Sequence, residues 1–134
     1  MRQITKDITL AIDGEKRSFR LTKPDAFSGV EILRLFLRMQ EGRGEDPLTV
    51  LDFVTRLSEA ELRSVMASCL NHVEVLLPAG PNPVMTGSDW GYPELEHDAK
   101  ACFRLTLELV SFTLSDFFGD GGRTSPSVPP ASSP

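Results

Sequence analysis

From Glu94 to Phe118 the chain places apolar residues at three- and four-residue steps, then stops at Gly119. Leu95, Ala99, Cys102, Phe103, Leu107, Val110, Leu114 and Phe117 fall on one side of a helix at that spacing. The spacing predicts a long helix over roughly 94–118. Leu105, Leu109, Phe112 and Phe118 lie beyond that stripe and leave few polar positions to face water. A surface helix normally carries one apolar stripe and one polar face. The surplus therefore needs cover, from the domain's own core or from a partner. The expectation drawn here is a partner contact through Leu105, Leu109 and Phe112, with the face around Phe103, Leu107, Val110 and Leu114 shared with the core. Trp90 and Tyr92 flank a glycine just upstream. Aromatics so placed serve either as partner anchors or as a cap folded back on the core.

A chain of 134 residues is one domain by size and buries roughly two-thirds of its unfolded surface. Its start reads as a β-hairpin. Ile8, Leu10 and Ile12 alternate with Asp7, Thr9 and Ala11, and Asp13-Gly14 supplies a two-residue turn of the type I′ kind. That turn sets Ile12 against Glu15, Leu10 against Arg17 and Ile8 against Phe19. Ile8, Leu10, Ile12, Phe19 and Leu21 then share a face, so turn and hydrophobic pattern agree. A lone hairpin is marginal in water, and its apolar face must lie on helices or on another subunit.

Pro24 ends the second strand. Ser28 and Glu31 stand at capping-box spacing, flanked by Phe27 and Ile32 as a staple. They predict a helix over 29–41 with Ile32, Leu33, Phe36 and Met39 inward and Arg34 and Arg38 in solvent. Asp46-Pro47 predicts a short helix through about Thr55. Ser58 and Glu61 form a second box, with Leu57 and Leu62 as its staple. The helix they open carries Leu62, Val65, Met66, Cys69, Leu70 and Val73 on its buried side.

Residues 73–77 read equally as a brief strand or as the end of that helix. Pro78 to Pro83 breaks regular structure, and the loop continues through Gly91. The pattern as a whole is α+β: an N-terminal β-hairpin packed on a small helical bundle with a long C-terminal helix. Residues 1–119 form the single domain. Residues 120–134, rich in Gly, Ser and Pro, form a tail expected to be disordered.

The formal net charge of −5 argues against nucleic-acid or membrane-surface binding, which needs a concentrated basic patch. No apolar run reaches the ~20 residues that span a bilayer. The first residues lack an apolar signal core, and a cytoplasmic location is expected. Cys69, His72, His97 and Cys102 are the metal-like set, were two helices to cross at that level. The plainer reading is two reduced core cysteines beside exposed histidines. No nucleophile elbow or phosphate loop appears. Glu94, Glu96 and Asp98 would suit acid–base work as a pair, but at a helix start they are more simply partners of the helix dipole. No catalytic residue, metal or cofactor is expected, and the chain is not read as an enzyme.

With those pieces in order, the chain resembles the tail assembly chaperones of long-tailed, siphovirus-like bacteriophages and prophages. The likeness covers most of residues 3–119. It rests on Ile4-Thr5-Lys6-Asp7-Ile8-Thr9-Leu10 with the Asp13-Gly14 turn, on Phe19-Arg20-Leu21, and on Asp25-Ala26-Phe27-Ser28-Gly29. Trp90-Gly91-Tyr92-Pro93-Glu94-Leu95-Glu96-His97-Asp98 and Phe117-Phe118-Gly119 complete it. The resemblance implies a small, largely helical, non-enzymatic protein of the host bacterial cytoplasm. Its partner would be the tape-measure protein, kept soluble while tail-tube subunits polymerise around it. The tail-tube protein and a second copy of the chain are further partners to consider. Among these proteins a ribosomal frameshift often yields a longer product. The alternative reading is a structural tail or tail-terminus protein retained in the virion.

Overall fold

In a computed structural model of the protein, residues 4–118 are described, with the side chains of 116–118 excepted. The tail expected at 120–134, and Gly119 at the close of the domain, lie outside the described residues. The fold is α+β, with the expected N-terminal hairpin and long C-terminal helix.

Strands β1 (Thr5–Ile12) and β2 (Glu15–Thr22) pair antiparallel with Ile12 opposite Glu15, Leu10 opposite Arg17 and Ile8 opposite Phe19, the predicted register. Asp13 and Gly14 take φ of 52° and 82°, the positive values a type I′ turn requires. The hairpin belongs to a larger sheet. Residues 73–77, left open between strand and helix, form β3 (Val73–Leu77), which pairs with β2. β4 (Gly80–Pro83) pairs with β3, giving a four-stranded sheet in the order β1-β2-β3-β4.

β4 overturns the expectation that Pro78 to Pro83 is irregular. Val84 N–H donates to the Val73 carbonyl. By antiparallel alternation Asn82 then bonds Val75, while Pro81 and Pro83 turn their ring nitrogens outward. Proline is tolerated on such an edge because no ladder bond is lost. Two short strands, β5 (Met85–Thr86) and β6 (Asp89–Trp90), make a separate small hairpin where loop was expected.

Three helices lie between β2 and β3. α1 (Ala26–Glu41) starts three residues before the predicted 29, because the Asp25 carboxylate takes the capping role assigned to Ser28. It accepts from Phe27 and Ser28 N–H at 3.1 and 3.4 Å. Phe27 is therefore no staple; it stands 88% exposed on the first turn. α2 (Val50–Thr55) starts later than Pro47 and is capped by Thr49. Side chains already hold the backbone between α1 and α2. Gln40 accepts from Leu48 N–H at 2.8 Å and donates to the Asp46 carbonyl at 2.9 Å. Arg43 bonds the Asp46 carboxylate and the Pro47 carbonyl. α3 (Glu59–Leu70) opens on the predicted Ser58–Glu61 capping box, with both reciprocal bonds present.

α4 (Ala99–Phe118) follows a 3-10 turn at Pro93–Leu95 and begins five residues later than the spacing implied. Asp98 accepts from Ala101 N–H at 3.0 Å, so one of the three acidic residues is its N-cap. α4 packs against α1, α2, α3 and β1. Ile12, Phe19, Leu21, Val73 and Val75 of the sheet share the core with Leu105, Leu109 and Leu114 of α4 and with Phe36 and Phe53, whose rings meet edge to face.

Candidate partner-binding face

Of the residues expected to meet a partner, all but the half-buried Trp90 lie in the interior. Leu105 and Leu109 are 0% exposed, and Phe112 and Tyr92 are buried. Their expected role as a contact face is corrected: the domain's own core uses them. A helix surrounded by three others and a strand has almost no outer side, which is why apolar residues extend so far around it. The buried arc even holds Thr106 and Thr113. Their hydroxyls donate to the Cys102 and Leu109 carbonyls at 2.8 Å, so neither is left unsatisfied. The stripe assigned to α4 is accordingly rotated: Ala99 is exposed, while Phe103 and Leu107 are half-buried.

Tyr92 follows the capping alternative. Its ring meets Phe19 edge to face, with centroids 6.3 Å apart. Its hydroxyl accepts from Arg17 Nε at 3.2 Å and donates to the Glu94 carboxylate at 3.1 Å. Burial raises its pKa, against the opposing effect of Arg17. The contact ties the hairpin to the segment that leads into α4. Trp90, half-buried, packs against the core edge.

The metal-like set is not gathered. Among the described residues no group of three or more His, Cys, Asp or Glu side chains is placed to hold a metal ion. Cys69 and Cys102 are buried free thiols. Burial pushes the Cys69 thiol up to about 12, and the Cys102 thiol donates to the Leu95 carbonyl. His72 Nδ1 sits 2.8 Å from the Ser68 carbonyl of its own helix end, and His97 is exposed. Every fully buried side-chain nitrogen or oxygen among the described residues has a hydrogen-bond partner.

What the sequence reading missed is the outer side of α1. Phe27, Val30 and Leu37 are 88%, 47% and 46% exposed. With Arg34 they stand at i, i+3, i+7 and i+10, the a/d spacing of a helix that takes a second helix along its seam. The buried residues Gly29, Ile32 and Phe36 face the opposite way, onto the core. Beside the seam a shallow recess of about 330 Å³ is lined by Glu31, Arg34, Leu35, Leu37 and Arg38. Arg38 reaches Glu61 of α3 at 3.4 Å, which braces that flank. The signal was present in the sequence as the spacing of Phe27, Val30 and Leu37. Placing Phe27 in a staple hid it.

Comparison with protein-family models, with curated proteins and with solved structures gives no match. Among the described residues no helix is long and apolar enough to cross a membrane.

Proposed function

We propose that this chain is a non-enzymatic tail assembly chaperone of long-tailed bacteriophages or prophages, acting in the host cytoplasm on the tape-measure protein. The observation that carries the reading is the α1 seam. Phe27 stands in water and Val30 and Leu37 are each about half exposed, although the same helix buries Gly29, Ile32 and Phe36 on its other side. A tape-measure protein is a long helical chain whose own apolar stripes need cover, and a helix laid along this seam would receive it. Arg34 within the seam and Glu31 and Arg38 beside it offer charges of both signs to fix the register. The resemblance over most of residues 3–119 supplies the rest of the reading.

Co-expression tests it. On this reading a tape-measure gene lies beside this one, and its product should stay soluble and co-purify with the chain. Phe27→Glu with Leu37→Glu should leave the chaperone folded and send the tape-measure protein into the pellet. A tape measure equally soluble with the double variant would remove the seam from the reading. Recovery of the chain in purified virions would favour a structural tail protein instead.

A further inference from the structure

The two edges of the sheet differ in kind. β4 is closed: Pro81 and Pro83 carry no N–H along its outer side. Asn82 Nδ2 also donates to the Gly91 carbonyl at 2.7 Å, and Gly91 N–H donates to the Val84 carbonyl at 2.9 Å, strapping the following loop over that side. β1 is open. Ile12 and Glu15 close a two-residue turn, so the even-numbered residues of β1 bond β2 and the odd-numbered ones face out. Lys23 N–H donating to the Ile4 carbonyl at 2.9 Å continues the same alternation to the strand's start. The peptide groups of Thr5, Asp7, Thr9 and Ala11 therefore point away from the sheet, and none meets a backbone partner among the described residues. This edge holds no proline and no bulge over eight residues. Such an edge is a template for another strand.

We propose that β1 is a dimerisation edge, where two copies pair their β1 strands antiparallel about a two-fold axis through Ile8 and join their sheets. For a second copy the strand itself selects the register. A two-fold pairing of outward groups must centre on one residue of β1. Centring on Lys6 or Asp7 sets like charges directly opposite each other, which destabilises. Centring on Thr9 or Leu10 drives Thr5 past the end of the partner strand into its turn. Ile8 remains. Thr5 then pairs with Ala11 of the second copy and Asp7 with Thr9, a carboxylate facing a hydroxyl. On the helix side Ile8 meets its own copy, and Ile4, 58% exposed, comes opposite Ile12.

Charge does not oppose this pairing. The Asp7 carboxylate is held by Arg20 at 3.0 and 3.3 Å within its own sheet. Lys6 leans to Glu108 of α4 at 4.0 Å. An inward lysine is one device that blunts an edge. Here it comes opposite Leu10 of the second copy, where its methylene stem covers the leucine.

Sedimentation of the full chain tests the proposal: the wild type should form a concentration-dependent dimer. Thr9→Pro removes an outward N–H and no ladder bond, so it should be monomeric with an unchanged circular dichroism spectrum. Ile8→Cys should form an intermolecular disulfide on mild oxidation. Thr5→Cys should not, because the two Thr5 residues lie roughly 20 Å apart in this register. If Thr9→Pro does not fold, cross-linking at Ile8→Cys decides on the otherwise intact strand. A wild type that is monomeric at high concentration, a folded Thr9→Pro that remains a dimer, or Thr5→Cys cross-linking as readily as Ile8→Cys would each overturn it. Loss of the dimer leaves the α1 seam untouched, so this inference and the chaperone reading fail separately.

Discussion

Gly91 lies so close to Pro83 that a Cβ built on it would overlap the Pro83 carbonyl oxygen. That approach lets Gly91 N–H reach the Val84 carbonyl and brings the Gly91 carbonyl to Asn82 Nδ2. The atom that a Cβ would meet belongs to the Pro83 backbone, which cannot swing aside as a side chain would. Gly91→Ala should cost about 2 kcal/mol, the scale of overpacking. Gly87, with φ of 63° and open space around it, should cost only the about 1 kcal/mol of a left-handed non-glycine residue. Urea melts of the two variants check the ranking; equal stabilities would mean the loop relaxes at Gly91.

Leu109 is 0% exposed at the middle of α4. Leu109→Ala should lose about 3 kcal/mol through lost burial and the cavity left behind. Leu105→Lys with Leu109→Lys should abolish cooperative unfolding, since both ammonium groups would enter the core without partners. A folded double-lysine protein by near-UV circular dichroism would return these two positions to the surface.

Among the described residues, three carboxyls sit below their ordinary range. A side-chain hydrogen bond from Arg20 lowers Asp7, hydrogen bonds led by the Ser28 side chain lower Asp25, and the Ser58 N–H foremost lowers Glu61. In each case the fold favours the ionised form. Their contribution is complete above the unfolded values, about pH 4, and is lost as pH falls through the lowered folded values. The melting temperature should be flat from neutrality to about pH 5 and fall below pH 4. Asp25→Asn retains an N-cap without titrating, so its acid-side decline should be shallower than that of the wild type. Parallel declines would place the acid sensitivity in the other carboxyls.

Local rules wrote the hairpin and α3 plainly. Asp13-Gly14 sets both turn and register, and Ser58 with Glu61 completes a cap within four residues. Elements that depend on distant partners were less legible. β3 exists as a strand because Phe19 and Leu21 of β2 pair with Val75 and Val73, across the whole of α1 to α3. β4 exists because it is an edge, a property that proline content alone does not reveal. The width of the α4 apolar arc was visible, but whether a partner or the domain covers it is decided by three helices closing around it. The α1 seam was hidden because Ser28 was read as the cap and Phe27 as its staple. Asp25 precedes Ser28 and captures the helix start, and that turns Phe27 outward.

Phe27 gives the test that separates structure from partner. A side chain 88% exposed contributes little burial within the domain, and changing it alters stability by no more than about 0.5 kcal/mol. The same reasoning covers Val30 and Leu37, each about half exposed, with a somewhat larger loss from their covered atoms. Phe27→Ser should therefore leave the melting temperature within about two degrees of wild type. It should also reduce the binding of a hydrophobic dye and weaken capture of an amphipathic helical peptide drawn from the tape-measure protein. Phe53→Ser, at 0% exposure, is the contrasting control and should unfold the domain. If Phe27→Ser destabilises the protein as strongly as a core substitution, the phenylalanine is packed in solution and the seam is not free for a partner. If stability and peptide capture both stay unchanged, the seam is exposed but idle, and the chaperone reading loses the observation that carries it.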